Sequence, residues 1–280
     1  MSDAPFRLAG VIGWPVAHSR SPLMHGHWMA EMGLRGAYVP LPVRPDDLPA
    51  AVAGLRAMGF AGANVTIPHK VEVMALADEV DPVARLIGAA NTLVVRDDGS
   101  VFATNTDWTG FVESLRAQAP GWRPDAGPAV VLGAGGGARA VAWGLIDAGA
   151  PEVRVVNRTR ATADALAADL GPQVTVHDWD ARTEALDGAA TLVNTTSLGM
   201  EGQQPLDLSL DALPDHAVVA DIVYVPLETP LLAAARARGL ATADGLGMLI
   251  HQGVPCWRHW FGLTPQVTPA LRALMEQSLV

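Results

Sequence analysis

The sequence predicts an α/β fold in two parts, on three observations. Apolar β-branched runs alternate with helix-length stretches along most of the 280 residues, the pattern of βαβ units with parallel strands. Residues 129–142 read AVVLGAGGGARAVA, which is a strand, a tight glycine turn and the first turns of a helix. Residues 89–104 differ, with two short apolar runs around Asp98-Gly99 that read as an antiparallel hairpin. The first part is therefore expected to hold a mixed sheet. The length suits roughly two domains of ordinary size.

Taken in order, residues 7–14 read as a buried strand, followed by the turn-rich PVAHSRSP. A helix is expected next, with Ser21 as N-cap, Pro22 in the first turn and Leu23, Trp28 and Met32 along its apolar face. Strands at 37–43 and 61–66 flank a helix at 45–58, and a further helix is expected from about residue 70. A helix at 106–118 leads into a Pro/Gly-rich segment, 119–128, that reads as a boundary. Strands are then expected at 129–132, 153–156, 173–177, 190–194, 217–221 and 240–243, with helices in the first two gaps and at 229–238. That count fits a doubly wound sheet. Beyond Asp244 the pattern is helical to 261 and again from 269, and this tail is expected to return to the first part.

Composition narrows the function classes. Half the residues are hydrophobic, enough for a substantial core. A single cysteine, Cys256, excludes an internal disulfide and fits a reducing, cytoplasmic compartment. The opening MSDAPFRLAG lacks the basic and apolar regions of a signal peptide, and no apolar run reaches membrane-spanning length. A net charge of −10 disfavours nucleic acid as a partner. No metal site is expected, since His25 and His27 lie two apart on a helix and Cys256 has no neighbouring partner. The assembly is left open, a homodimer included.

The residues that could carry chemistry fall into two groups. Of the nineteen basic residues eighteen are arginine, and Lys70 is the one lysine. An ammonium can release and regain a proton where a guanidinium cannot, and Lys70 follows a strand in NVTIPHK, at a βα junction. Asp107, in ATNTDWTG, reads either as a helix-start acid or as part of a polar string, Thr104 to Asp107, able to hold ligand hydroxyls. Asn91 in GAANTL faces the same choice. Ser19 and Ser21 in HSRSP suit a turn and cap or, equally, a carboxylate.

On the nucleotide side, Gly133 falls in the turn, Gly135 where backbone approaches a pyrophosphate, and Ala138 where helix packs on strand. About twenty residues on, where an NAD site normally places an acid, the chain carries Asn157, Arg158, Thr159 and Arg160. Two arginines there favour a 2′-phosphate, hence NADP over NAD.

These pieces together resemble the shikimate dehydrogenase family across nearly the whole chain: GWPVAHSRSP, GANVTIPHK, GAANTL, NTDWTGF, GAGGGARA, NRT, NTTSLGM, DIVYVPLETPLL and DGLGMLIHQ occur in order. The resemblance implies an α/β substrate domain and a Rossmann-type NADP domain joined by two helices. The first would span 1–107, completed by 247–280, and the second 108–246. It implies that Lys70 and Asp107 are the catalytic pair, that Ser19 and Ser21 hold a substrate carboxylate, and that Thr66, Asn91, Asp107 and Gln252 bind ring hydroxyls. Tyr224 would line the substrate cleft. Gly133, Ala134, Gly135, Gly136, Gly137 and Ala138 would form the pyrophosphate loop, Asn157 to Arg160 the 2′-phosphate loop, and Gly245 and Met248 would lie near the nicotinamide.

The implied reaction is reversible reduction of 3-dehydroshikimate to shikimate by NADPH, with Lys70 as proton donor, oriented by Asp107. One departure is Thr162, where many relatives carry a second arginine, a role Arg160 is expected to take. The alternatives are a quinate/shikimate dehydrogenase or paralogue using NAD, and a nucleotide-binding regulator without turnover. A short-chain dehydrogenase is excluded because neither Tyr38 nor Tyr224 has a lysine near it.

Overall fold

The computed structural model describes residues 6–279, and the chain divides into two compact units. Unit 1 holds the residues through Thr106 together with Gln252–Ser278, and unit 2 is Asp107–His251.

Unit 1 begins β1 (Arg7–Gly13), α1 (Ser21–Glu31), β2 (Gly36–Pro42), α2 (Leu48–Ala57), β3 (Phe60–Val65), β4 (Glu79–Val80), α3 (Pro82–Ile87), β5 (Thr92–Val95) and β6 (Val101–Thr104). The strands form one sheet in the order β2-β1-β3-β5-β6-β4. β1 runs parallel to β2 and β3, β5 runs antiparallel to both its neighbours, and β4 is parallel to β6. One consequence governs the site. The C-terminal ends of β1, β3 and β6 and the N-terminal end of β5 all lie on the same sheet edge.

Several local expectations change. Ser21 is the first residue of α1 rather than its cap, a position held by Arg20 without a side-chain cap hydrogen bond. Leu23 and Met32 are both 38% exposed, while Met24, His25, Trp28 and Met29 face inward. The i, i+4 pairs Met24/Trp28 and His25/Met29 define the buried stripe, because α1 is apolar on more than one side. No α-helix begins at residue 70. Only a tight turn over Glu72–Leu76 fits before β4 starts. The expected helix at 45–58 opens as a separate turn at Pro45–Asp47. The short α3 was not anticipated, although Asp81 caps it by accepting the Val83 N–H at 2.9 Å and left-handed Gly88 ends it.

Unit 2 contains α4 (Asp107–Gln118), β7 (Ala129–Leu132), α5 (Gly136–Ala148), β8 (Val153–Asn157), α6 (Arg160–Leu170), β9 (Val174–Asp178), β10 (Thr191–Asn194), β11 (Val218–Asp221), α7 (Pro230–Ala237) and β12 (Ala241–Ala243). All six strands are parallel, in the order β12-β11-β10-β7-β8-β9. That is the doubly wound Rossmann order, with its switch point between β7 and β10. The inner strands β7, β10 and β11 are buried on both faces, so they read as continuous apolar runs such as VVL in β7. The stretch 119–128 lies inside unit 2, not at a boundary, because α4 packs on α5 where Gly144 admits the Trp108 backbone.

α8 (Gly245–Phe261) starts in unit 2, and its residues from Gln252 onward belong to unit 1 with α9 (Pro269–Gln277). Trp260 Nε1 donates to Leu93 O at 2.8 Å and Trp28 Nε1 to Gln266 O at 2.9 Å, which ties this segment to the first sheet and α1. Among the described residues, no helix is long and apolar enough to cross a membrane.

His25 is fully buried against Tyr38, with ring centroids 4.0 Å apart, and its Nδ1 accepts from Trp257 Nε1 at 2.8 Å. Burial pushes its pKa down to about 3. The unfolded chain, with an ordinary histidine near 6.5, therefore takes up a proton the native state refuses. Stability should fall as pH drops from 6.5 toward 3, by about 2 kcal/mol from this residue alone at pH 5. Urea unfolding at pH 7 and pH 5 checks this: His25→Asn should lose less stability between the two than the wild type does.

Candidate active site

The edge of the first sheet where four strand ends meet is built as follows. After β1, Ser19 is half-buried and its Oγ accepts the Ser21 N–H at 3.3 Å, just where Ser21 opens α1. The Ser19 hydroxyl thus sits at the N-terminus of a helix that Ser21 opens, a place that suits a carboxylate. After β3, the Thr66 N–H donates to Ile12 O at 2.9 Å and Thr66 O accepts from His69 N at 3.0 Å. The buried His69 ring pairs with Val43 O at 2.7 Å, and Lys70 O accepts from Ala90 N at 2.7 Å. The backbone on both sides of Thr66 and Lys70 is therefore fixed, next to Asn91.

Asn91, 2% exposed, leads into β5. Its Oδ1 accepts the Thr106 backbone N–H at 2.7 Å and the Thr92 hydroxyl at 3.0 Å. That assigns the amide, so its Nδ2 is the donor that reaches Gln252 Oε1 at 3.3 Å. Gln252 Oε1 is an acceptor in that bond, which orients its own amide as well. Behind Asn91, Asn64 Nδ2 donates to Asn91 O, to Thr92 Oγ1 and to Cys256 Sγ, each at 3.2 Å. Asn64 Oδ1 accepts from Tyr38 at 2.7 Å, and burial, the largest influence, raises the phenol above its usual range and keeps it a donor.

In unit 2 the carboxyl edge of the second sheet carries the glycine turn. Gly133 adopts φ +108°, and a Cβ there would lie 2.6 Å from Thr195 Oγ1, so only glycine fits. Gly135 and Gly136 are exposed, and a Cβ on either would meet nothing within 4 Å. They offer bare backbone at the N-terminus of the thirteen-residue α5, and Ala134 and Ala138 are buried beside them. That cradle fits a dinucleotide pyrophosphate. At the end of β8, Asn157 Nδ2 donates to Thr159 O at 2.9 Å, and Arg158, Thr159 and Arg160 are exposed.

Asp107 is the first residue of α4 and is 7% exposed. Tyr224 sits half-buried in the loop after β11. That loop is pinned by Asp221, whose carboxylate accepts from Val223 N (3.0 Å), Asn194 Nδ2 (3.0 Å) and Thr229 Oγ1 (2.8 Å). Burial, outweighing those three donors, pushes the Asp221 pKa up to about 6. Gly245 opens α8 against the Ile222 carbonyl, where a Cβ would collide with backbone, and Met248 is half-buried one turn on.

The sequence matches two family models, the shikimate dehydrogenase substrate binding domain over residues 11–93 and shikimate / quinate 5-dehydrogenase over 124–225. A shikimate dehydrogenase (NADP(+)) from Paramagnetospirillum magneticum is 60% identical over 269 residues, covering 96% of this chain and 98% of the relative. The chain belongs to the shikimate dehydrogenase family. Among solved structures, the Thermus thermophilus shikimate 5-dehydrogenase in complex with NADP(H) and shikimate is 39% identical, with a TM-score of 0.85 and 98% of each chain covered. A Corynebacterium glutamicum quinate dehydrogenase in complex with NAD is 31% identical, with a TM-score of 0.89, 98% of this chain and 99% of that one.

Of the residues to which the family resemblance points, Ser19, Ser21, Thr66, Lys70, Asn91 and Gln252 belong to unit 1. Asp107, Tyr224, the 133–138 turn, Asn157 to Arg160, Gly245 and Met248 belong to unit 2. Arg160, expected to take the place of the arginine that Thr162 lacks, pairs with Asp178 at 2.8 Å and Asp164 at 3.7 Å. Sequence reasoning also missed the residues that hold the site's polar groups: Asn64, Thr92 and Cys256 behind Asn91, and Asn194, Asp221 and Thr229 behind Tyr224. Their partners lie from one to 192 positions away, and no spacing rule flags them.

Asp221→Ala would strand three donors in a buried loop. Urea unfolding should show a loss of about 3 kcal/mol, with Asp221→Asn less costly because it keeps one acceptor oxygen.

Proposed function

We propose that this chain is an NADP-dependent shikimate dehydrogenase, an oxidoreductase acting on a CH–OH group. It interconverts 3-dehydroshikimate and shikimate, a step of the shikimate pathway toward chorismate and the aromatic amino acids. The observation that carries the reading is the gathering, on one sheet edge of unit 1, of a two-serine helix end, a lysine and an oriented amide pair, in a chain 60% identical to an enzyme of that name.

In this reading Ser19 and Ser21 hold the substrate carboxylate through hydroxyl and helix N-terminal donors. Asn91, Gln252 and Thr66 take the ring hydroxyls. Asn91 and Gln252 do so with amides already fixed by Thr106 and by each other, so little orientation has to be set when substrate arrives. NADPH supplies the hydride to the C3 carbonyl. Lys70 ammonium stabilises the developing negative charge on the carbonyl oxygen and gives it a proton, and in the reverse direction takes one from the alcohol. Asp107 is the second member of the proposed catalytic pair. Tyr224 lines the substrate side of unit 2.

Unit 1 is the substrate domain and unit 2 the nucleotide domain. Residues 133–138 take the pyrophosphate, Asn157, Arg158, Thr159 and Arg160 the 2′-phosphate, and Gly245 and Met248 the nicotinamide end. The single buried cysteine and the absence of a membrane-length helix among the described residues fit a cytoplasmic enzyme, and a homodimer is the assembly to test. A second reading, quinate/shikimate dehydrogenase activity with NAD, draws on the carboxylate partners of Arg160, which weaken the claim of that guanidinium on a 2′-phosphate.

Lys70→Ala should lower kcat for shikimate oxidation by about 10²–10⁴-fold. Lys70→Arg should recover little, because a guanidinium keeps the charge and withholds the proton. Steady-state kinetics of both variants tests this, and near-normal kcat in Lys70→Ala would remove the lysine from the reaction. Gly135→Val puts a side chain into open space, so it should leave the melting temperature in place and weaken NADP+ binding, read by calorimetric titration.

A further inference from the structure

The arginine expected to reinforce the 2′-phosphate loop has a carboxylate partner that the sequence pattern does not reveal. Asp178 closes β9 and pairs in register with Asn157 at the end of β8, so the sheet places an acid at the same carboxyl edge as Asn157, Arg158 and Thr159. Its Oδ1 accepts from Arg160 Nη1 at 2.8 Å, and Asp164 flanks the same guanidinium from one turn along α6 at 3.7 Å. Between residues 157 and 162 the only cations are Arg158 and Arg160, and Thr162 adds none. No ion pair of Arg158 occurs among the described residues.

The pairs on Arg160 are solvent-exposed, at 55% for Arg160, 70% for Asp178 and 54% for Asp164. Exposed pairs of this kind are weak and screened by salt, so a phosphate dianion can displace one, yet it has to compete to do so. A ribose hydroxyl makes no such demand on a guanidinium.

We propose that Asp178 sets the nucleotide selectivity of this site: by pairing with Arg160 it makes a 2′-phosphate compete with a carboxylate, and so narrows the preference for NADP+ over NAD+. This rests on the reading that residues 157–160 receive the adenosine ribose of NADP+. The relation has a definite sign. Removing the carboxylate tightens only the phosphorylated dinucleotide, and only while Arg160 is present.

Calorimetric titration of the purified protein with NADP+ and with NAD+, at one fixed low salt concentration, tests it in four proteins: wild type, Asp178→Asn, Arg160→Gln and the double variant. Asp178→Asn should lower the Kd for NADP+ by about three- to tenfold while the Kd for NAD+ moves less than about twofold. In the Arg160→Gln background the same substitution should gain less than about twofold, which separates an effect through Arg160 from a general loss of negative charge. Both side chains are exposed, so folding is not at stake. An unchanged NADP+ Kd, an equal gain for both nucleotides, or a gain undiminished in the Arg160→Gln background each overturns the inference. Wild-type protein that binds no NADP+ overturns the proposed function itself, and the inference with it.

Discussion

The Thr106 backbone N–H donates to Asn91 Oδ1 at 2.7 Å, and that bond decides how the polar side of unit 1 is arranged. A backbone donor cannot rotate to suit a flipped amide, so the Asn91 oxygen is committed to it and the Asn91 nitrogen is committed outward. The Gln252 oxygen then becomes an acceptor, and a residue from the far end of the chain is oriented by one near the start. Because β5 and β6 run antiparallel, with Thr92 opposite Thr104, the residue before one strand and the residues after the other necessarily meet at the same edge.

Such an arrangement has to be sheltered and fully bonded. Asn64, Thr92, Thr106 and Cys256 are buried polar or sulfur groups, and each has a partner within the same cluster. An unpaired amide there would cost about 1–3 kcal/mol, so the network either closes completely or destabilises the fold it sits in. Around it lies apolar packing, including the aromatic group of His25, Trp28, Tyr38, Trp257 and Trp260, which keeps water out and leaves His25 neutral. Unit 2 solves its problem differently. There the polar groups are mostly backbone, exposed by glycines at the end of a buried parallel strand, and a single carboxylate, Asp221, holds the loop that carries Tyr224.

The parallel strands of unit 2 were legible because strands buried on both faces must be continuously apolar, and the hairpin because Asp98-Gly99 supplies the turn it requires. In the fold Asn91 stands directly before β5 and the glycine turn directly after β7, while Lys70 lies in the segment beyond β3 and is followed by no α-helix. What stayed hidden depends on distance along the chain. Cys256 has no second cysteine near it in sequence, yet it lies against Asn64 and Thr92, 192 and 164 positions away. Arg160 lies where the sequence puts a phosphate ligand, but the acid that pairs with it, Asp178, is brought there only by the pairing of β9 with β8. The inward face of α1 was misjudged for a related reason: a helix apolar on several sides takes its orientation from the sheet it packs on, which periodicity cannot supply.

The central claim is that the chain oxidises shikimate with NADP+. The most direct measurement is the initial rate of nucleotide reduction by purified protein with shikimate or quinate, each offered NADP+ or NAD+. The account predicts the highest kcat/KM for shikimate with NADP+. A preference for quinate with NAD+, or no oxidation with any of the four combinations, would contradict it.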